Sequence, residues 1–112
     1  MTGLPAELQH EVDQLRTLFG ELDVDTGSSG LLLLGLRLRG VALRVVVDLG
    51  TYPDSPPMMH VESGWEHPWI ADGGRITGLP GLQEWNRTYG LAHLVRELNH
   101  QLIASPPRVR SW

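Results

Sequence analysis

Tyr52-Pro53-Asp54-Ser55-Pro56-Pro57 is the stretch on which the reading of this chain turns; His67-Pro68-Trp69-Ile70, Gly74-Arg75-Ile76-Thr77 and Trp85 follow it. Proline fixes φ in advance, so segment 52–57 predicts a stiff loop rather than a strand or a helix. Downstream, Gly73-Gly74, Pro80 and Gly81 forbid long elements, and residues 63–85 read as largely irregular. A loop region of that length inside a small domain is uncommon and often functional.

Upstream of the loop the hydrophobic period is two. Leu32, Leu34, Leu36 and Leu38 alternate with Leu31, Leu33, Gly35, Arg37 and Arg39. Gly40 breaks the run; Val41, Leu43, Val45 and Val47 then alternate with Ala42, Arg44, Val46 and Asp48. Two such runs around a short turn predict an antiparallel hairpin with one buried face. Leu22 and Val24, ahead of the turn cluster 25–30, suggest a short first strand, and residues 58–62 a fourth.

Helices are expected at both ends. In 4–20, Leu8, Val12, Leu15 and Phe19 recur at steps of four, three and four, which is one helical stripe. Pro5 suits a first turn, Glu7, Glu11 and Asp13 lie toward the positive end of the dipole, and Gly20 is a stop. In 90–104, Leu91, Leu94, Val95, Leu98 and Leu102 form a second stripe, which Pro106-Pro107 ends. The fold class is therefore α+β in one domain over 1–112, with a core of about 4–104 and a tail, 105–112, of which Arg108–Trp112 is expected to be mobile unless a partner holds it.

Composition narrows the function. A net charge of −4 over 112 residues argues against nucleic acid. The absence of cysteine removes disulfides, Cys-ligated zinc and thiol catalysis, and fits an intracellular, cytoplasmic setting. The apolar run 31–47 carries Arg37, Arg39, Arg44 and Gly40, so it does not span a bilayer. No charged segment followed by an apolar one stands at the start, so no secretory leader is expected.

The order helix, antiparallel meander, Tyr-Pro-x-x-Pro-Pro, His-Pro-x-Ile, Gly-x-Ile, Trp, helix resembles the ubiquitin-conjugating (UBC-like, or E2) fold. In that family a His-Pro-Asn tripeptide precedes a catalytic cysteine in a Gly-x-Ile-Cys-Leu segment. The resemblance covers about residues 4–104. It implies an N-terminal helix, a four-stranded antiparallel meander, an irregular flap and a C-terminal helix. It places Thr77 at the cysteine position and Trp69 at the position of the Asn that assists the oxyanion. A threonine hydroxyl without an adjacent base is a poor nucleophile and forms no thioester. The chain is thus similar to the noncatalytic ubiquitin E2 variants (UEV), and Gly74-Arg75-Ile76 with Leu79-Pro80-Gly81-Leu82-Gln83-Glu84-Trp85 is similar to the UEV domains of the ESCRT-I sorting complex. Those domains bind ubiquitin, and in animals also Pro-Ser/Thr-Ala-Pro peptides. The tyrosines of that peptide groove have no counterpart, since no aromatic residue stands between Gly20 and Thr51.

The resemblance implies a protein partner (ubiquitin, a ubiquitin-like protein, an E2-related protein or an ESCRT subunit), no cofactor and no metal. Candidate contacts are Arg37 and Arg39, which share a strand face, and Trp65 and Trp69, which flank His67. Bulky aromatics on flaps anchor interfaces; packing of Trp69 into the vacant cleft is the equal alternative. Tyr52, Pro53, Pro56, Pro57, His67, Pro68 and Trp85 are read as structural, with Trp85 in the core and His67 orienting the flap. His93, Glu97 and His100 make a poor zinc site, and Ser55, His67 and Asp72 lack a nucleophile-elbow pattern. The functional alternatives are an RWD-like adaptor without ubiquitin affinity and an enzyme acting through Thr77 or His67.

Overall fold

The period-two leucines and valines pair as their alternation demands. In the computed structural model, which describes residues 6–26, 30–38, 40–52, 54–62 and 65–109, the chain runs α1 (Ala6–Phe19), β1 (Asp23–Thr26), β2 (Leu31–Leu38), β3 (Val41–Asp48) and β4 (Met58–Val61). There follow β5 (Trp65–Glu66), a 3-10 turn (Asp72–Gly74), α2 (Pro80–Gln83), α3 (Gly90–Ala104) and β6 (Arg108–Val109). Strands β1-β2-β3-β4 form one antiparallel sheet in sequence order. Its register sets Leu34 opposite Val45 and Leu36 opposite Leu43, so the buried sets of both strands share a face.

That face carries the core. Leu32, Leu34, Leu36, Leu38, Val41, Leu43, Val45, Val47, Met59 and Val61 form one buried cluster with helix residues. Leu8, Val12 and Leu15 come from α1, and Leu91, Leu94, Val95, Leu98 and Leu102 from α3. Both helices thus lie on one side of the sheet and present the stripes read from the sequence. Gly20 ends α1, its N–H donating to the Arg16 carbonyl at 2.9 Å. The expected helix start at residue 4 lies outside the described residues, as do Arg39 and Pro53. Among the described residues no helix is long and apolar enough to cross a membrane.

Past the flap the chain returns to the sheet. Ile76 donates to the Met59 carbonyl at 2.9 Å and Arg75 bridges to His60, so residues 75–76 line the open edge of β4. Gly74 makes this approach possible: its φ is +90°, and a Cβ there would run into the Val61 carbonyl oxygen. Asp72-Gly73-Gly74, legible only as a turn, is the hinge that lays the chain against β4.

The mobile tail needs correction at Arg108 and Val109. They pair with Glu66 and Trp65 as a two-stranded ribbon. Pro106-Pro107 ends α3, and the extended chain beyond it supplies backbone partners to β5, whose polar groups need them.

Gly74→Ala should cost several kcal/mol, since strain at positive φ of about 1–3 kcal/mol is joined by a backbone collision. Gly73→Ala, with φ +85° but nothing within 4 Å of the added carbon, should cost only about 1–2 kcal/mol. Urea unfolding of the two variants checks the difference; equal losses would contradict the packing of residues 74–76 on β4.

Candidate functional site

The proline loop is held by a carboxylate from the first helix. Tyr52 donates its hydroxyl to Glu11 Oε1 at 2.6 Å, and the Leu91 N–H donates to the same oxygen at 2.7 Å. α3 has no side-chain cap of its own; Glu11 takes that place, a favourable position for a negative charge on the helix dipole. Gly90, at φ +78°, lies so close that a Cβ would sit 2.8 Å from Glu11 Oε1. Burial, then the bond to Glu11 and its charge, push the Tyr52 phenol far above its ordinary value, so it stays a donor throughout the neutral and alkaline range where proteins are studied.

Tyr52 opens an aromatic row. Its ring lies 5.8 Å from Trp85, Trp85 lies 6.0 Å edge-on from Tyr89, and Tyr89 stacks on His93 at 4.5 Å. Trp85, expected in the core, is half-buried and packs against it from this row. Pro57 is buried while Pro56 and Pro68 are exposed.

The flap is organised by His67, whose exposure is only 9%. Its Nδ1 accepts the Trp69 N–H at 3.0 Å, which assigns the proton of the neutral ring to Nε2. Nε2 is buried with no hydrogen-bond partner among the described residues. The Trp69 carbonyl accepts from Thr77 N–H at 2.9 Å and Gly78 N–H at 3.2 Å. The flap and the segment ending in Thr77 therefore run side by side. A Cβ on Gly78 would meet the Trp69 ring at 2.7 Å, so the half-buried indole lies directly over Gly78. Of the two readings of Trp69, the geometry favours inward packing. Thr77 is exposed, and among the described residues no hydrogen bond joins its hydroxyl to a base. The one lone pair of His67 is already engaged by Trp69 N–H.

Arg37 and Trp65, taken from the sequence as separate contacts, lie at one corner with Glu62, which bonds Trp65 and feels the charge of Arg37. Glu62 Oε1 accepts the Trp65 indole N–H at 3.2 Å and the Ala42 N–H at 3.3 Å. Arg37, exposed at the end of β2, donates to the Gly40 carbonyl at 3.3 Å. The Trp65 bond, the Ala42 bond and then the Arg37 charge hold the exposed Glu62 carboxyl below the ordinary carboxylate range. The β2–β3 hairpin end and the flap are thus one corner: Arg37, Ala42, Glu62, Trp65. Glu62 was not singled out from sequence, because nothing in Val61-Glu62-Ser63 distinguishes a bridging carboxylate from a solvated one.

The other sequence candidates remain dispersed. His93 Nε2 approaches Glu97 only to 3.9 Å, while Glu97 caps α2 by accepting Gly81 N–H at 2.8 Å. Among the described residues no group of three His, Asp or Glu side chains is placed to hold a metal ion. No protein-family model matches the chain, and no curated protein matches it.

The Glu62 bridge carries a pH signature. A carboxylate whose folded value lies below its free value of 4.5 contributes its link fully above that pH and loses it as pH falls through the lowered value. The Trp65 indole N–H resonance should hold its position from neutral pH to below 4.5 and shift only in stronger acid. Glu62→Gln should abolish the step; a transition centred above 4.5 would contradict the bridge.

Proposed function

We propose that this chain is a UBC-like domain of the noncatalytic E2-variant type. It recognises ubiquitin, a ubiquitin-like protein or an E2-related partner, in conjugation or ESCRT-type sorting. The α+β order of helix, four-stranded meander, flap and C-terminal helix is compatible with that family. The observation that carries the reading is the junction of Trp69 with Thr77 and Gly78. The flap lies against the segment where the family keeps its nucleophile, joined by the 2.9 Å bond from Thr77 N–H. Thr77 itself offers an exposed hydroxyl that no hydrogen bond joins to a base among the described residues, and the indole covers the neighbouring Gly78. Such a cleft supports contact rather than transfer chemistry.

The contact surface on this reading is the corner of Arg37, Glu62 and Trp65. It combines an aromatic and a guanidinium, the side chains most enriched at interface hot spots. The competing adaptor reading uses the same corner for a partner other than ubiquitin.

Titrating isotope-labelled protein with ubiquitin should shift the amides of Ala42 and Glu62 and the Trp65 indole. Arg37→Glu should weaken the binding about tenfold, or about 1.4 kcal/mol. With activating enzyme and ATP the wild type should form no thioester. Absence of any shift at millimolar ubiquitin would turn the assignment to the adaptor; shifts confined to other surfaces would move the site.

A further inference from the structure

The alternation that buries Met59, Val61 and Ile76 in the core turns His60 and Arg75 to the opposite, outer face of the sheet. The register completes a row there. Arg44 stands opposite His60 across β3 and β4, and His60 stands opposite Arg75, where the chain returns along the edge of β4. The bond from Ile76 N–H to the Met59 carbonyl makes His60 and Arg75 a non-hydrogen-bonded pair, the kind whose side chains stand closest. Arg44 and Arg75 are thus about 10 Å apart at Cα, with the half-buried imidazole between them. Beyond Arg44 the row continues to Gly35, which has no side chain to close that end.

The chain supplies no partner for these cations. Arg44 and Arg75 are exposed, and among the described residues neither has an ion pair or a side-chain hydrogen bond. The acids of the same face are engaged or distant. Glu62, beside His60 along the chain, bonds Trp65 and Ala42. Asp48 accepts the Gly50 N–H at 2.9 Å, and Asp23 and Asp25 lie on β1, beyond β2. Like charges set side by side across strands weaken a sheet. Two guanidiniums kept around an imidazole, without a counter-charge, in a chain of net charge −4 call for an anion from outside.

We infer that Arg44, His60 and Arg75 are the receptor for one phosphorylated side chain on a protein partner. Guanidiniums reaching inward from both ends of the row, with an imidazole N–H beneath them, match the terminal oxygens of a phosphate monoester, which arginine binds in bidentate fashion. The site is an open groove along the sheet, with Gly35, Arg44, His60 and Gly73 in its wall, so it covers little of a free metabolite. The neighbouring row of Leu33, Val46 and Met58 offers a polypeptide an apolar strip two residues along the strands from the cradle, with Met58 44% exposed. A polyanion such as nucleic acid or an anionic bilayer needs many cations at once, and Asp23, Asp25 and Asp48 on this face repel it. The receptor leaves Arg37 and Trp65 uncovered and stands whether or not the chain binds ubiquitin.

Heteronuclear NMR on the labelled full chain, with no ubiquitin present, tests this. The probe is acetyl-Ala-Leu-Ala-phosphoserine-Ala-Leu-Ala-amide, whose leucines match the distance from cradle to apolar strip. It should shift the Arg44 and Arg75 Nε–H resonances and the His60 ring with a Kd of about 1 mM or tighter, weakening as salt is raised. The unphosphorylated peptide should shift none of them. Arg44→Gln and Arg75→Gln should each weaken binding about tenfold with their amide spectra still dispersed, whereas Arg96→Gln, on α3 behind the sheet, should not. Inorganic phosphate should bind about tenfold more weakly than the phosphopeptide. No shift at about 10 mM phosphopeptide, equal binding of the unphosphorylated peptide, or binding that survives both arginine substitutions would overturn the receptor. Inorganic phosphate, single-stranded RNA or vesicles carrying phosphatidylinositol phosphate binding as tightly as the phosphopeptide would overturn its assignment to a phosphorylated protein.

Discussion

One carboxylate oxygen holds the three parts of this molecule together. Glu11 Oε1 receives the Tyr52 hydroxyl from the proline loop and the Leu91 N–H from the start of α3, at 2.6 and 2.7 Å. Among the described residues the helices otherwise meet through side-chain packing, which tolerates sliding; two charge-assisted bonds to one atom do not. Fixing Tyr52 fixes where β3 hands over to β4. Fixing Leu91 fixes the angle at which the α3 stripe meets the sheet. The aromatic row from Tyr52 through Trp85 to Tyr89 then closes over the same junction.

On the proposed reading, this arrangement separates a scaffold from a contact surface. The core side of the sheet and the two helices are a continuous apolar cluster. The flap lays Trp65, Trp69 and Ile70 against that cluster and is shaped by polar bonds: His67 to Trp69, Trp69 to Thr77 and Gly78, Glu62 to Trp65 and Ala42. Bonds of this kind define a shape without adding much stability, since water competes for each of them. The Arg87–Asp54 ion pair at 2.9 Å is exposed on both sides and contributes little to either half.

Much of the fold was legible because it rests on periodicity. The alternation in 31–38 and 41–48 placed the hairpin and its buried face, and the stripes of α1 and α3 named their core residues. What remained hidden depends on contacts distant in sequence. Glu11 reads as one of several acids toward the positive end of a helix dipole; its bond to Leu91, 80 residues away, has no local signal. The pairing of Arg108 and Val109 with β5 was missed for the same reason. Arg37 and Trp65 were read as contacts on separate surfaces, and the Glu62 bonds that draw the flap to the hairpin end had no signal in the sequence. Trp69 was ambiguous because an indole serves an interface and a cavity equally well, and the close approach to Gly78 is a matter of geometry alone.

The central claim, that the Glu11 carboxylate couples the proline loop to the helices, is tested most directly by a double-mutant cycle. Glu11→Ala, Tyr52→Phe and the double variant would be unfolded in urea beside the wild type. A charge-assisted bond of this geometry predicts a coupling of about 1.5–3 kcal/mol between the two positions. Losses that add within about 0.3 kcal/mol would mean that Tyr52 and Glu11 act independently, and the organising role assigned to this oxygen would fall.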